Sequence, residues 1–156
     1  MGRPVSRVKR TARLSIAGAL GVFAGIVLLA CAGGPAPSSM CLGVQASPKL
    51  NLYENEPHVV VLKFYPLQNV AAFQAADAGD LVKGKKVAGA TGDPWEATVL
   101  PGQSLDFSEQ LPRDTSNVGI VADFFGGPSR GVVPAKCGMF GKPKIVLSAS
   151  DLQVAN

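Results

Sequence analysis

Residues 1–30 set the terms for everything that follows them, because they carry the pattern of a segment that does not join a folded domain. Arg3, Arg7, Lys9, Arg10 and Arg13 form a basic start without a single acid. Leu14 to Ala30 is an apolar run broken only by Ser15 and glycines, and small residues follow at once. Basic flank, apolar stretch and small-residue exit make up the three-part export signal. Folding is thereby confined to the remainder, in a compartment where disulfides persist. The charge balance follows the same division. The formal net charge is +4, but beyond residue 30 ten Lys/Arg face eleven Asp/Glu. The basic excess belongs to the leader, so the folded part offers no electrostatic basis for nucleic-acid binding.

The apolar run ends in Leu28-Leu29-Ala30-Cys31, which resembles the bacterial lipobox. There a large apolar residue stands three places before a cysteine and a small one directly before it. In that chemistry the thiol takes a diacylglyceryl group, cleavage frees the amine, and a further acylation leaves the cysteine as the mature first residue. Cys31 is the expected lipid attachment site, and this covalent lipid is the only non-protein group expected. Several chains exceed the threshold for stable anchoring that a single acyl chain fails to reach. Three alternatives stand beside it. Ala30-Cys31-Ala32 also fits a plain secretory cleavage, 17 apolar residues lie at the lower edge of a spanning helix, and a buried core helix would have similar composition. Ala32 stands where an Asp usually retains lipoproteins in the inner membrane, so the motif implies the outer membrane. The segments expected are a signal peptide over 1–30, a Gly/Pro/Ser tether over 31–40 and a folded domain over 41–156.

With Cys31 acylated, Cys41 and Cys137 remain. They are read either as a disulfide, natural in an oxidising compartment, or as two unpaired buried thiols. Two cysteines and the lone His58 fall short of a closed zinc site.

Hydrophobic alternation dominates the domain. Leu42 to Lys49 has strand character and stops near Pro48. Asn51 to Pro57 gathers turn formers and acids into an exposed connection. In the run from His58 to Tyr65, Val60, Leu62 and Phe64 share one face, which is expected to be core. Pro66 to Asn69 ends that strand. Val70, Phe73 and Asp77 then fit a short helix with Asn69 as N-cap, and a second helical turn includes Asp80 to Val82. Lys83-Gly84-Lys85-Lys86 is a basic turn, either a solvated loop or a contact to lipid headgroups or to an acidic partner. Glu96–Leu100, Pro101-Gly102 and Ser104–Leu111 read as strand, turn, strand. Asn117 to Phe125 places Val118, Ile120, Ala122 and Phe124 on one face, and Gly126 to Gly131 reads as a loop. Two short strands with a bulge or turn between them complete the chain over Lys144 to Val154. Short strands, frequent turns and one helical insertion predict a mainly β, two-sheet sandwich.

Catalytic chemistry has little to build on. His58 lies beside a proline at a strand entrance without a nucleophile motif. Asp77 and Asp80 fit a solvated helix face. Gly84, Gly89 and Gly92 make no phosphate-cradling loop. Trp95 is either an exposed binding aromatic or a ring folded over the sheet edge. No enzyme and no small-molecule substrate are expected.

Taken in order, Ala46-Ser47-Pro48-Lys49-Leu50-Asn51, the run Val59–Leu67, the helical stretch Ala71–Asp77, the turn Val99-Leu100-Pro101-Gly102-Gln103-Ser104 and the strand Asn117–Phe124 resemble the TssJ family, also called VasD or Lip. These are lipoproteins of the bacterial type VI secretion system. The resemblance implies a transthyretin-like β-sandwich with a short helical insertion, held at the outer membrane and facing the periplasm. It implies binding to the periplasmic C-terminal region of TssM, an inner-membrane protein, and through it an indirect link to TssL. In the family, much of that contact comes from the loop between the first two strands. It maps here to Asn51, Leu52, Tyr53, Glu54, Asn55 and Glu56. The alternative is a lipid-anchored pilotin or assembly module of another envelope machine.

Overall fold

A computed structural model describes residues 38–137 and 141–155. The leader, Cys31 and the tether as far as residue 37 lie outside the described residues. Strand β1 (Ser38–Ala46) alternates Met40, Leu42, Val44 and Ala46 inward, all buried. Its outward neighbours are polar or small, as a half-buried strand requires. It pairs antiparallel with β4 (Ser104–Leu111) and parallel with β7 (Lys144–Leu147), which in turn pairs with β8 (Leu152–Ala155). The first sheet therefore runs β4-β1-β7-β8.

The second sheet runs β3-β2-β5-β6, built from β2 (Val60–Leu67), β3 (Trp95–Val99), β5 (Asn117–Ala122) and β6 (Ser129–Pro134), all antiparallel. Val60, Leu62 and Phe64 face the first sheet, as alternation predicts, and meet Val118, Ile120 and Ala122 in the main core. Trp95 folds over the sheet edge and stacks on Phe64, 5.3 Å between centroids and 12° between planes. The two sheets make the expected mainly β sandwich.

A smaller apolar cluster lies on the outer face of the second sheet, where Tyr65, Leu67 and Val121 meet Phe73 of α1 (Ala71–Ala75) and Leu81 of α2 (Ala78–Val82). Helices of five residues are too short to persist alone, so their order comes from this packing. The Tyr65 hydroxyl donates to the Leu81 carbonyl at 2.6 Å, and burial pushes its pKa up. Arg130 of β6 donates to the carbonyls of Phe73 and Ala76 at the end of α1. Because β2 is covered on both faces here, it reads as a nearly continuous apolar run.

Several expectations are corrected. Ser38 to Met40, expected in the tether, belong to β1: Ser38 pairs with Leu111 and Met40 fills the core. Ser129–Gly131 belongs to β6 and not to a loop. Gly131 suits it, because a Cβ there would lie 2.8–2.9 Å from Leu152 and Val154 of β8. The strand-turn-strand reading around Pro101-Gly102 holds, and the turn joins strands of different sheets as a corner. Pro66 lies inside β2, opposite Val118, where β3 has already ended and no donor is needed on that side. Val70 occupies the α1 cap position, although the Asn69 side chain does accept from the Ala71 N–H. Asp77 caps α2 instead of extending α1, accepting from the Asp80 N–H at 3.0 Å.

Candidate functional site

After β1 the chain turns through Ser47 to Leu50, where the Leu50 N–H donates to the Ser47 carbonyl, and reaches Asn51. This residue has φ 48°, a left-handed conformation that Asn tolerates better than most residues. Its side chain is a bracket: Nδ2 donates to the Val59 carbonyl at 2.9 Å, and Oδ1 accepts from the Phe125 N–H at 2.8 Å. Asn51 is 5% exposed, and both polar ends of its side chain are engaged within the fold. It locks the loop to the start of β2 and to the turn between β5 and β6.

Beyond it the Leu52 N–H donates to the Ala149 carbonyl, and Tyr53 and Glu56 exchange two backbone hydrogen bonds of 3.0 and 2.9 Å. Glu54 and Asn55 between them have φ 51° and 65°. Two positive φ values in a two-residue hairpin define a type I′ turn. The His58 N–H closes the loop onto the Leu50 carbonyl. The loop is thus a shaped projection, with Leu52, Tyr53, Glu54, Asn55 and Glu56 exposed.

Tyr53 does not stand alone. Its ring stacks on Phe125 at 4.6 Å and 20°, and His58 meets Phe125 edge-on at 5.1 Å and 70°. Phe125 is 59% exposed, Tyr53 48% and Val59 46%. They form an exposed apolar patch at one end of the sandwich, the kind of surface that marks a protein contact. Glu54 and Glu56 border it, and among the described residues neither has an ion-pair partner.

Sequence reasoning left Phe125 out. A signal was present: if Phe124 belongs to the core face, its neighbour must point outward, and two glycines after it end the strand there. The basic turn at Lys83–Lys86 lies elsewhere and is partly neutralised, with Lys85 on Asp80 and Lys86 on Asp93, both at 2.7 Å. The Lys85 hydrogen bond holds the Asp80 carboxyl below the usual range, and Asp93 raises the Lys86 ammonium.

A disulfide joins Cys41 of β1 to Cys137 beyond β6, with Cα atoms 4.8 Å apart. It ties the first sheet to the exit of the second, near the start of β1, whereas the aromatic loop follows the end of β1. Among the described residues no three His, Cys, Asp or Glu side chains gather as metal ligands. His58 packs against rings, with its Nε2 buried and without a hydrogen-bond partner among the described residues.

A family model described as type VI secretion lipoprotein, VasD, EvfM, TssJ, matches residues 38–130. Among solved structures, a chain of one described as "Type VI membrane complex" is 21% identical, with 77% of this chain covering 99% of that one at a TM-score of 0.66. A chain of the structure "T6SS protein TssM C-terminal domain (869-1107) from EAEC" is 20% identical, with coverages of 76% and 98% and a TM-score of 0.64. The T6SS lipoprotein TssJ1 from Pseudomonas aeruginosa is 21% identical, with coverages of 76% and 95% and a TM-score of 0.61. At these identities the likeness is one of fold. No curated protein matches the chain by sequence.

Proposed function

The chain belongs to the type VI secretion lipoprotein family that includes TssJ and VasD, and from that membership we propose that it is an outer-membrane anchor working by binding alone. Its acylated Cys31 holds the lipid, and the loop from Leu52 to Glu56 holds the periplasmic C-terminal region of a TssM-like protein, which in turn connects to TssL. The observation that carries the reading is the exposed Tyr53–Phe125 stack on a hairpin locked by Asn51. Preordered aromatic side chains cost little entropy to bind and commonly dominate interface energies.

The direction of β1 supports the arrangement. Seven residues from Cys31 reach Ser38, at most about 25 Å of chain, and the nine residues of β1 then run about 30 Å towards the loop. The loop therefore lies a full strand further along the chain from the lipid than Ser38 does. The fold's occurrence in a structure described by the TssM C-terminal domain supports the partner. Because 76% of this chain spans 98% of the matched one, that chain is much shorter than the range 869–1107. Membership in this family favours a part in type VI secretion over a pilotin of another envelope machine.

Tyr53→Ala and Glu54→Lys each weaken binding to the TssM C-terminal region about tenfold or more, measured by calorimetry, while thermal melts stay close to wild type. Cys31→Ser releases the protein from the membrane fraction. Unchanged affinity in both loop variants would remove the loop from the contact.

A further inference from the structure

The exposed ring of Phe125 does not sit on a flat surface. Beside it a groove of about 300 Å³ opens on the outer face of the second sheet, lined by His58, Val59, Val61, Asp123 and Phe125 among others. A second hollow of about 150 Å³ shares Val61 and Asp123 and continues to Lys63, Val82 and Val121. The two form one strip, running from the aromatic end along the part of the sheet that the helices leave uncovered, up to the edge of α2.

The strip's charge narrows what it can hold. Asp123 is common to both hollows and is exposed, and Glu54 and Glu56 lie on the hairpin whose Tyr53 stacks on Phe125. Among the described residues none of the three carboxylates has an ion-pair partner. Lys63, the cation at the far end, is engaged by Glu96. A wholly apolar occupant would desolvate the Asp123 carboxylate without compensation. An acidic one would meet three like charges. A basic side chain next to an apolar one satisfies both features, since the cation pairs with Asp123 and lies against the faces of Phe125 or Tyr53, while its neighbour covers Val59 and Val61.

We propose that the groove beneath Phe125 is a second half of the partner site and takes a segment of the TssM periplasmic region that carries an Arg or Lys beside an apolar residue. The inference rests on the anchoring role above and extends it from the loop to the end of β5. Phe125 supplies the ring, Asp123 the counter-charge, and Asn51 holds the Phe125 backbone in place through its N–H.

The test uses the full-length acylated protein in detergent and the purified TssM C-terminal region, with affinities measured at about 50 and about 300 mM NaCl. Phe125→Ala is expected to weaken binding about tenfold. Asp123→Asn, which keeps the side-chain shape, is expected to weaken it roughly fivefold at low salt and to flatten the salt dependence. Both residues are exposed, and melting curves verify that the variants fold. Groove variants that bind within about twofold of wild type, while Tyr53→Ala is impaired, would overturn the groove and leave the loop standing. A weakened Asp123→Asn with an unaltered salt dependence would overturn the basic occupant. Absence of binding by the wild type would overturn the anchoring role and this inference with it.

Discussion

Asn51 shows how one side chain can serve a binding surface without touching what binds. Its amide bridges two segments that are far apart in sequence, the loop after β1 and the turn after β5. Loss of a buried side chain that satisfies a donor and an acceptor leaves both groups unpaired, at about 1–3 kcal/mol each. Asn51→Ala is therefore expected to lower stability by about 2 kcal/mol or more in denaturant unfolding and to loosen Tyr53 and Phe125 together. Stability and affinity for the partner should fall in parallel. A variant that lost affinity at full stability would place Asn51 in the contact itself. Sequence alone saw an Asn among turn formers and could not separate a bracket from a contact, because the distinction depends on Phe125, which alternation places only as an outward ring at a strand end.

At the scale of elements, two close approaches hold the layers in place. Gly119 of β5 lies directly beneath the Phe73 ring of α1, where an added Cβ would be 2.8 Å from its carbons. Gly119→Ala must displace the ring or the helix, an overpacking cost of about 1–3 kcal/mol, read as a lowered unfolding midpoint with the main core intact. On the opposite side of the sheet, the turn between β7 and β8 is clasped to β6. Asp151 accepts from the Ser129 hydroxyl at 2.6 Å and from the Leu152 N–H at 2.8 Å. The Ser129 hydrogen bond, with further help from Leu152 and Gln153, holds the Asp151 carboxyl below its ordinary range. A depressed carboxylate pKa stabilises the fold above the ordinary value near about 4, and the contribution disappears as the pH falls through the lowered one. The stability difference between wild type and Asp151→Ala should thus be larger at neutral pH than at pH values near or below about 3. A pH-independent difference would assign the clasp to packing rather than charge. The β6 strand itself was missed in the sequence, because its start follows Gly126-Gly127-Pro128 and contains Gly131. In isolation these are loop residues, and only the proximity of β8 explains the glycine.

For the whole molecule, the Cys41–Cys137 disulfide joins the two sheets across a sequence separation of 96 residues. Closing a loop of that length restricts the unfolded chain, worth up to about 4–5 kcal/mol in the chain-entropy account. The Cys41→Ser, Cys137→Ser double variant is expected to unfold at lower denaturant by roughly 2–5 kcal/mol, and reduction of the wild type should reproduce the shift. The disulfide lies near the start of β1, and the aromatic loop follows the other end of that strand. Equal stability with and without the bond would show that the core alone carries the fold.

Much of this architecture was legible from local patterns. The inward faces of β1, β2 and β5 follow from alternation, because a strand's side chains point to opposite faces whatever lies beyond them. The two-sheet sandwich likewise follows from short strands separated by frequent turns. Which strands share a sheet was not legible: Pro101-Gly102 is equally good as a hairpin or a corner, and the choice rests with the partners of β3 and β4. Nor could a local pattern bring Phe125 onto Tyr53 or set Asp123 in the floor of a groove. Those placements come from hydrogen bonds and packing between segments remote in the chain, and they turn an exposed loop into a shaped surface.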